Sequence, residues 1–406
     1  MDKAWTRGEA VPRTGPMELQ PLLTLTAPER PLDRALLDAR GGFAWWYLDL
    51  LDDERSGLVM IWSFGLPFLP GYLSAARAGR PERPRDRPAL NVVVYERGRP
   101  TLYLLEEHAP GDASWSLDGT RFRFGRSEIE SSVVDGRRVV RAVLDCAIPG
   151  SAERLRGTID VSGPARRIAG AEPRDVDARF HDWTPLTAVA KGTATLTIGP
   201  RRTLKIAGRA YHDRNGSHTA LDRLGIAEWV WGRATLPDRE LIWYLLWPAL
   251  SGAEATFLGV EIDHDGSTRL LDDLKVRASG ERRARFGMRW WEQLELTHRG
   301  SPWLSVTQEA PVDDGPFYLR SFVRARAGDG REAIGTGEVC VPSRVDRPWD
   351  RPFVRMRVHR VGEENSRWLP LFAGHRDDRA KRLARTLFGL QPPAPEVPAD
   401  VSVRPR

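Results

Sequence analysis

A phenol, a carboxylate and two imidazoles fall within the single stretch Tyr211-His212-Asp213-Arg214-Asn215-Gly216-Ser217-His218. A second polar and aromatic segment, Phe180-His181-Asp182-Trp183-Thr184-Pro185, lies upstream. Histidine is the side chain best suited to move protons near neutral pH. A carboxylic acid joins it as a proton donor once burial among aromatics raises its pKa. The chemistry these residue types suit is general acid–base catalysis beside apolar surface. A third segment supplies that surface. Trp229, Trp231 and Arg233 alternate with Val230, Gly232 and Ala234, so on a strand they share one face as an aromatic wall. In a fourth, Gly41 to Asp49, the adjacent Trp45 and Trp46 must point to opposite faces, leaving one to meet a pocket while the other packs.

Each segment also has a plainer reading. Aromatic pairs are commonly packing residues, and His181 would serve equally as a surface histidine beside a packed Trp183. Asp213-Arg214-Asn215-Gly216 is a good turn sequence, since Asn-Gly is a strong hairpin signal and Asp caps turns through its own side chain. From spacing alone this stretch reads as the tip of a hairpin.

The elements that must position these residues are strands. Short apolar and aromatic runs recur between Gly, Asp, Asn and Pro, the pattern of an antiparallel all-β protein. They include Phe43 to Leu51, Leu58 to Phe64, Leu90 to Arg97, Arg138 to Ala147, Leu204 to Tyr211, Ala227 to Ala234, Glu240 to Trp247, Tyr318 to Ala325 and Glu332 to Val341. Asp118-Gly119, Asp135-Gly136, Asp265-Gly266 and Asp329-Gly330 supply hairpin turns. One helix is expected, Arg376 to Phe388, from the helical spacing of Ala380, Leu383 and Leu387. The similar strand counts of the two halves point to two antiparallel β-barrels of the calycin type in tandem. The division expected is an N-terminal extension (1–40), a first barrel (41–190), a second barrel with the C-terminal helix (191–390) and a disordered Pro-rich tail (391–406). Arg80 to Pro88 reads as an exposed loop, and Ser162 to Asp177 as a crossing between halves.

Composition removes several function classes. The 406 residues are 41% hydrophobic and 29% charged, as in a globular protein. No apolar run approaches the roughly 20 residues of a membrane helix, and residues 1–15 show no secretory signal, so a cytoplasmic location is expected. Cys146 and Cys340 are too few for a disulfide scaffold and read as reduced core residues. The net charge is +6, and 56 of the 61 basic residues are arginine. They are dispersed among 55 acidic residues rather than clustered, which argues against nucleic acid as a partner. There is no phosphate loop, dinucleotide fingerprint, Gly-x-Ser-x-Gly elbow or zinc-spaced cysteine pair. Nothing in the spacing of His181, His212 and His218 fixes a metal geometry, so no metal is expected.

Four motifs in order, Ala44-Trp45-Trp46-Tyr47-Leu48-Asp49, His181-Asp182-Trp183-Thr184-Pro185, Tyr211-His212-Asp213-Arg214-Asn215-Gly216 and Trp229-Val230-Trp231-Gly232-Arg233-Ala234, resemble the carotenoid 1,2-hydratase family, also called hydroxyneurosporene synthases. Pro316-Phe317-Tyr318-Leu319-Arg320 and Gly335-Thr336-Gly337-Glu338 look like the same family, and the likeness spans roughly residues 40 to 360. Two positions depart from it: Ala44, where relatives often carry an acid, and the Gly-Ser-His that follows Asn215.

The resemblance implies two lipocalin-like barrels without metal or organic cofactor. It implies a hydro-lyase that adds water to the terminal double bond of an acyclic carotenoid or other isoprenoid. Asp213 would be the general acid that gives a tertiary cation, Tyr211 its partner, and His181 the group that orients or deprotonates the attacking water. Trp183, Trp229, Trp231, Trp46, Tyr47 and Asn215 would line the substrate site. Arg214, next to the acid, would oppose its pKa rise and is expected to point to solvent. The wider superfamily also holds cofactor-free cyclases and pericyclases, and a hydrophobic-ligand carrier would need the same lining. The partner expected in every case is a hydrophobic polyene. A membrane-dissolved substrate implies peripheral contact with a bilayer, for which Leu66-Pro67-Phe68-Leu69-Pro70-Gly71-Tyr72 is the candidate, or equally a lid over the pocket.

Overall fold

A computed structural model describes residues 3–5, 22–29, 31–116, 118–168, 181–200, 202–376 and 383. Near-continuous apolar runs in the central strands and alternating apolar and polar residues in the outer ones build two large, curled, almost wholly antiparallel sheets. The first runs Arg99–Glu107, Pro88–Glu96, Gly57–Phe64, Phe43–Leu51, Arg202–Ser217, His181–Ile198, Arg154–Pro164, Arg137–Ala147, Ser127–Val134, Arg121–Phe124 and Ala113–Trp115. The second runs Leu274–Arg283, Arg289–His298, Ser301–Gln308, Tyr318–Ala327, Glu332–Cys340, Ile226–Thr235, Arg239–Pro248, Thr256–Asp263 and Ser267–Leu271. Short end strands extend both. The fold is the two-barrel, all-β, lipocalin-like architecture expected. The changeover between sheets falls between Ser217 and Ile226, so the strands from 191 to 217 pair with the first sheet rather than opening a second barrel at 191.

Three apolar cores follow from the period of two along each strand. One fills the curl of the first sheet, with Ala44, Trp46, Leu48, Leu50 and Ala210. Another fills the curl of the second, with Val230, Ala234, Trp243 and Leu245. The third lies where the two sheets face each other and takes the opposite faces of the same strands: Trp45, Tyr47, Trp183, Tyr211, Trp229, Trp231 and Tyr244. Strands such as Phe43–Leu51 are therefore buried on both faces.

Two expectations about local structure are corrected. Asp213 to Gly216 is not a turn. It lies inside the long strand Arg202–Ser217, which pairs with Phe43–Leu51 on one side and with His181–Ile198 on the other. Two ladders outweigh the local turn preference of Asn-Gly, and the chain instead reverses at Gly199, where φ is +62°. His181 to Pro185 likewise begins a strand, His181–Ile198, rather than a loop. Arg80 to Pro88 contains a short 3-10 turn, Pro84–Asp86, with Pro84 buried. The expected helix Arg376 to Phe388 lies almost entirely outside the described residues, as does the tail from 391. No helix among the described residues is long and apolar enough to cross a membrane.

Close strand packing explains one glycine motif. A Cβ at Gly335 would sit 1.8 Å from the Arg233 carbonyl oxygen across the ladder. Gly335→Ala must push apart the strands that carry Arg233 and Glu338. We expect it to lower the unfolding free energy by about 1–3 kcal/mol, as overpacking does, seen as a lower urea midpoint.

Candidate active site

The strand Arg202–Ser217 is central, and its alternation sends Tyr211, Asp213 and Asn215 toward the second sheet while His212 and Arg214 enter the first barrel. Asp213 is buried and receives three hydrogen bonds. Trp183 Nε1 donates to Oδ2 at 2.9 Å and the Tyr211 hydroxyl to the same oxygen at 3.0 Å, while Asn215 Nδ2 donates to Oδ1 at 2.9 Å. A carboxyl group offers about four lone-pair directions, so the open one is on Oδ1, where an acid proton has room. Burial is the main cause that pushes the Asp213 pKa up to about 7. The Trp183 and Tyr211 hydrogen bonds resist the rise, and the charges of Glu338 and Asp49 add to it.

His181 is also fully enclosed. Its ring lies 5.5 Å from Trp45 and 6.0 Å from Trp229 and Tyr244. Its Nε2 is 2.9 Å from Asn215 Oδ1 and 3.2 Å from the Tyr244 hydroxyl. With Asn215 Nδ2 committed to Asp213, Nε2 carries the ring proton and donates it. Nδ1 is then a lone pair with no partner among the described residues. Burial lowers the His181 pKa to about 4, against a small rise from Asn215, so the ring is neutral at neutral pH.

Tyr47, Tyr211 and Trp231 form a triangle of rings, with centroids 6.2 Å, 5.6 Å and 5.8 Å apart. Beneath it lies an ion cluster that links the two sheets. Arg233 grips Asp49 with two nitrogens, donates to Glu240 Oε1 at 2.8 Å and stands 5.3 Å from the Tyr211 ring. The Tyr47 hydroxyl donates to Asp49 at 2.8 Å. Asp49 and Glu240 were not singled out from the sequence. The signal was available for Asp49, which shares a strand face with Trp45 and Tyr47. Glu240 shares a face with Ile242 and Tyr244, and nothing local marks it.

Of the nine residues expected at the site, Asp213, His181, Tyr211, Trp183, Trp229, Trp231, Tyr47 and Asn215 converge on the interface between sheets. Trp46 does not. It faces into the first barrel, 4.0 Å from the Phe122 ring centroid, and Trp45 takes the interface position. Asn215 spends both amide ends on Asp213 and His181, so it positions those two groups. Arg214 does not point to solvent. It is buried inside the first barrel and donates to Thr184 Oγ1 at 3.2 Å, because the central strand has protein on both faces. The sheet itself separates its charge from Asp213.

Two cavities flank this centre. One of about 440 Å³ opens between the sheets and is lined by Ile61, Leu66, Phe68, Phe317, Tyr318 and Arg320 among others. Its inner wall, Arg320, lies 5.9 Å from the Tyr47 ring and is paired with Glu338 at 3.0 Å. The other, about 300 Å³, lies within the first barrel beside Trp46, Arg138, His212 and Arg214. The Leu66–Tyr72 loop packs inward: Leu66, Leu69 and Tyr72 are buried. It is a wall of the larger cavity rather than an exposed apolar surface.

A buried carboxyl group, a neutral imidazole and a cage of rings are thus enclosed between the two curled antiparallel sheets of a lipocalin-like fold. A crystal structure assigned to AttH from Nitrosomonas europaea shares the fold, with a TM-score of 0.51 over 78% of this chain and 99% of its own at 15% identity. The carotenoid hydratase CrtC family matches residues 60–367, and the chain belongs to that family. Among its relatives, a protein named hydroxyneurosporene dehydrogenase from Chlorobaculum tepidum is 26% identical over 381 residues, covering 87% of this chain and 96% of its own. An acyclic carotenoid 1,2-hydratase from Thiocapsa roseopersicina is 28% identical over 342 residues, covering 79% and 74%. One from Rubrivivax gelatinosus is 27% identical over 338 residues, covering 77% and 73%.

The ion cluster is tested by breaking it on one side. Arg233→Leu leaves Asp49 and Glu240 buried without their cation. We expect it to cost about 3–5 kcal/mol of stability, measured by chemical denaturation.

Proposed function

We propose that this protein hydrates a terminal carbon–carbon double bond of an acyclic carotenoid or related isoprenoid, with Asp213 as the general acid. The observation that carries the reading is a carboxyl group enclosed by aromatic rings, whose burial pushes its pKa up to about 7 so that a large share keeps its proton at neutral pH. A passive carrier has no use for such a group, which is costly to bury.

The steps balance without an oxidant or reductant. The Asp213 O–H bond breaks and its proton bonds to the less substituted alkene carbon. Positive charge is left on the tertiary carbon and a carboxylate on Asp213. The faces of Tyr47, Tyr211 and Trp231 stabilise the cation at about 0.5–2 kcal/mol each, and indole and phenol rings are poor traps for it. A water oxygen bonds to the cation and its proton passes to His181 Nδ1. Asn215 makes that atom the base, because it holds the other ring nitrogen as a donor. The imidazolium, with a pKa of about 4, then returns a proton to the Asp213 carboxylate, whose pKa is about 7, so the reset runs downhill. The polyene chain would lie in the 440 Å³ cavity, with its end passing the Arg320–Tyr47 contact toward the acid.

Incubation of the pure protein with acyclic carotenoids should yield a product heavier by one water; recovery of unchanged polyene alone would refute the reading. Asp213→Asn should lower the rate by at least about 10²–10⁴-fold while the fold is kept. The pH profile should fall on the alkaline side as pH rises through about 7, where Asp213 loses its proton, and on the acid side near 4, where His181 gains one.

The same group makes a stability prediction. A carboxylic acid whose folded pKa lies above its unfolded value favours the fold most when protonated, and that advantage is lost as pH rises toward the folded pKa. Asp213→Asn removes the charge that forms above pH 7. The variant should therefore melt higher than the parent at alkaline pH and show a smaller difference below the ordinary carboxylate range.

A further inference from the structure

The mouth of the larger cavity carries an unusual surface. Trp349 is 74% exposed and Phe353, one helical turn further on, is 44% exposed, although large aromatic side chains are normally buried. A turn leads from Arg347 into a short helix, Arg351–Arg355: Arg351 N bonds to Arg347 O and Val354 N to Asp350 O. Trp349 and Phe353 therefore lie on one side of this turn. Phe353 packs 5.9 Å from Phe286, and both line the cavity.

The charge around them is net basic. Residues 344 to 357 hold Arg344, Arg347, Arg351, Arg355 and Arg357 against Asp346 and Asp350, and Asp313, paired with Arg357 at 3.6 Å, and Asp314, beside Arg285, add two acids at the same rim. Asp346 is buried and consumed by Arg351 and by the backbone of Gly71 and Ser74. Arg285 adds a further exposed cation at the same rim.

We propose that this Trp349–Phe353 turn, with its arginine rim, docks the protein on an anionic lipid bilayer and sets the cavity mouth against the membrane. Indole rings favour the level of the lipid headgroups. Arginine side chains bury their stems while keeping their charge in the polar layer, and each gains from an anionic surface. A partner protein would bury the aromatics equally well, but a cationic rim around the opening of an apolar cavity matches a surface that is both anionic and a solvent for apolar ligands. The choice of a bilayer rests in that one respect on the proposed substrate.

The test is flotation of the full-length protein with carotenoid-free vesicles of phosphatidylcholine, with and without phosphatidylglycerol. Binding should require phosphatidylglycerol and weaken with added salt. Arg355→Glu changes two charges, so at roughly fivefold per charge it should lower vesicle partition about 25-fold. Trp349→Ser should also weaken binding, whereas Arg141→Glu, on an exposed strand of the first barrel, should not. Both mouth variants should keep hydrating substrate presented in detergent micelles, since neither residue lines the cavity. Failure of the parent to float, or equal loss in the Arg141→Glu control, would overturn the proposal. So would a change of oligomeric state in Trp349→Ser, which would make the patch a contact between copies. Because the vesicles carry no substrate, failed docking and failed hydration are separate results.

Discussion

The character of the interface between the sheets turns on the removal of one carboxyl group from water. Asp213 sits where two curled sheets meet, and everything near it is arranged to keep solvent out while supplying three donors. Desolvation disfavours the charged form, and the donors limit that effect to a pKa near neutrality rather than far above it. Less burial would leave an ordinary carboxylate, ionised at neutral pH, and more would hold the proton more tightly. The aromatic interface, the hydrogen bonds from Trp183 and Tyr211, and the distant charges of Asp49 and Glu338 together set the balance.

The neighbouring imidazole obeys the same physics with the opposite sign. Burial holds His181 neutral, and one amide, Asn215, contacts both groups. Acid and base are kept about three pKa units apart although they share a hydrogen-bonded neighbour. That separation gives two titratable groups at one interface different protonation behaviour. The Arg233 cluster below them serves a mechanical purpose as well, since its partners come from both sheets and fix how the sheets meet.

Much of this was legible in the residue order. The period of two placed Trp229, Trp231 and Arg233 on one face, and the family resemblance assembled Asp213, Tyr211, His181 and Trp183, which the fold brings together. What misled was local. Asn215-Gly216 speaks for a turn only while the strands beside it are unknown, and its ladders come from residues 43–51 and 181–185. Arg214 was expected outside because its charge beside Asp213 would oppose the rise in that pKa; a strand covered on both faces gives it no outside, and the sheet keeps the two apart. Trp46 and Trp45 could not be told apart without knowing which side of the sheet faces its partner. The Asp49–Arg233 contact joins residues 184 apart in sequence, and no window of sequence contains it.

The strand Arg202–Ser217 carries the acid on one side and the lining of a different cavity on the other. Its side chains alternate strictly, so inserting or deleting a single residue ahead of Asp213 would turn the acid into the first barrel and bring Arg214 or His212 to the interface. Length in this segment should thus be far less tolerant of change than its composition. Any variation in size that the architecture accepts must be absorbed at the reversal around Gly199, or in the connection after Ser217.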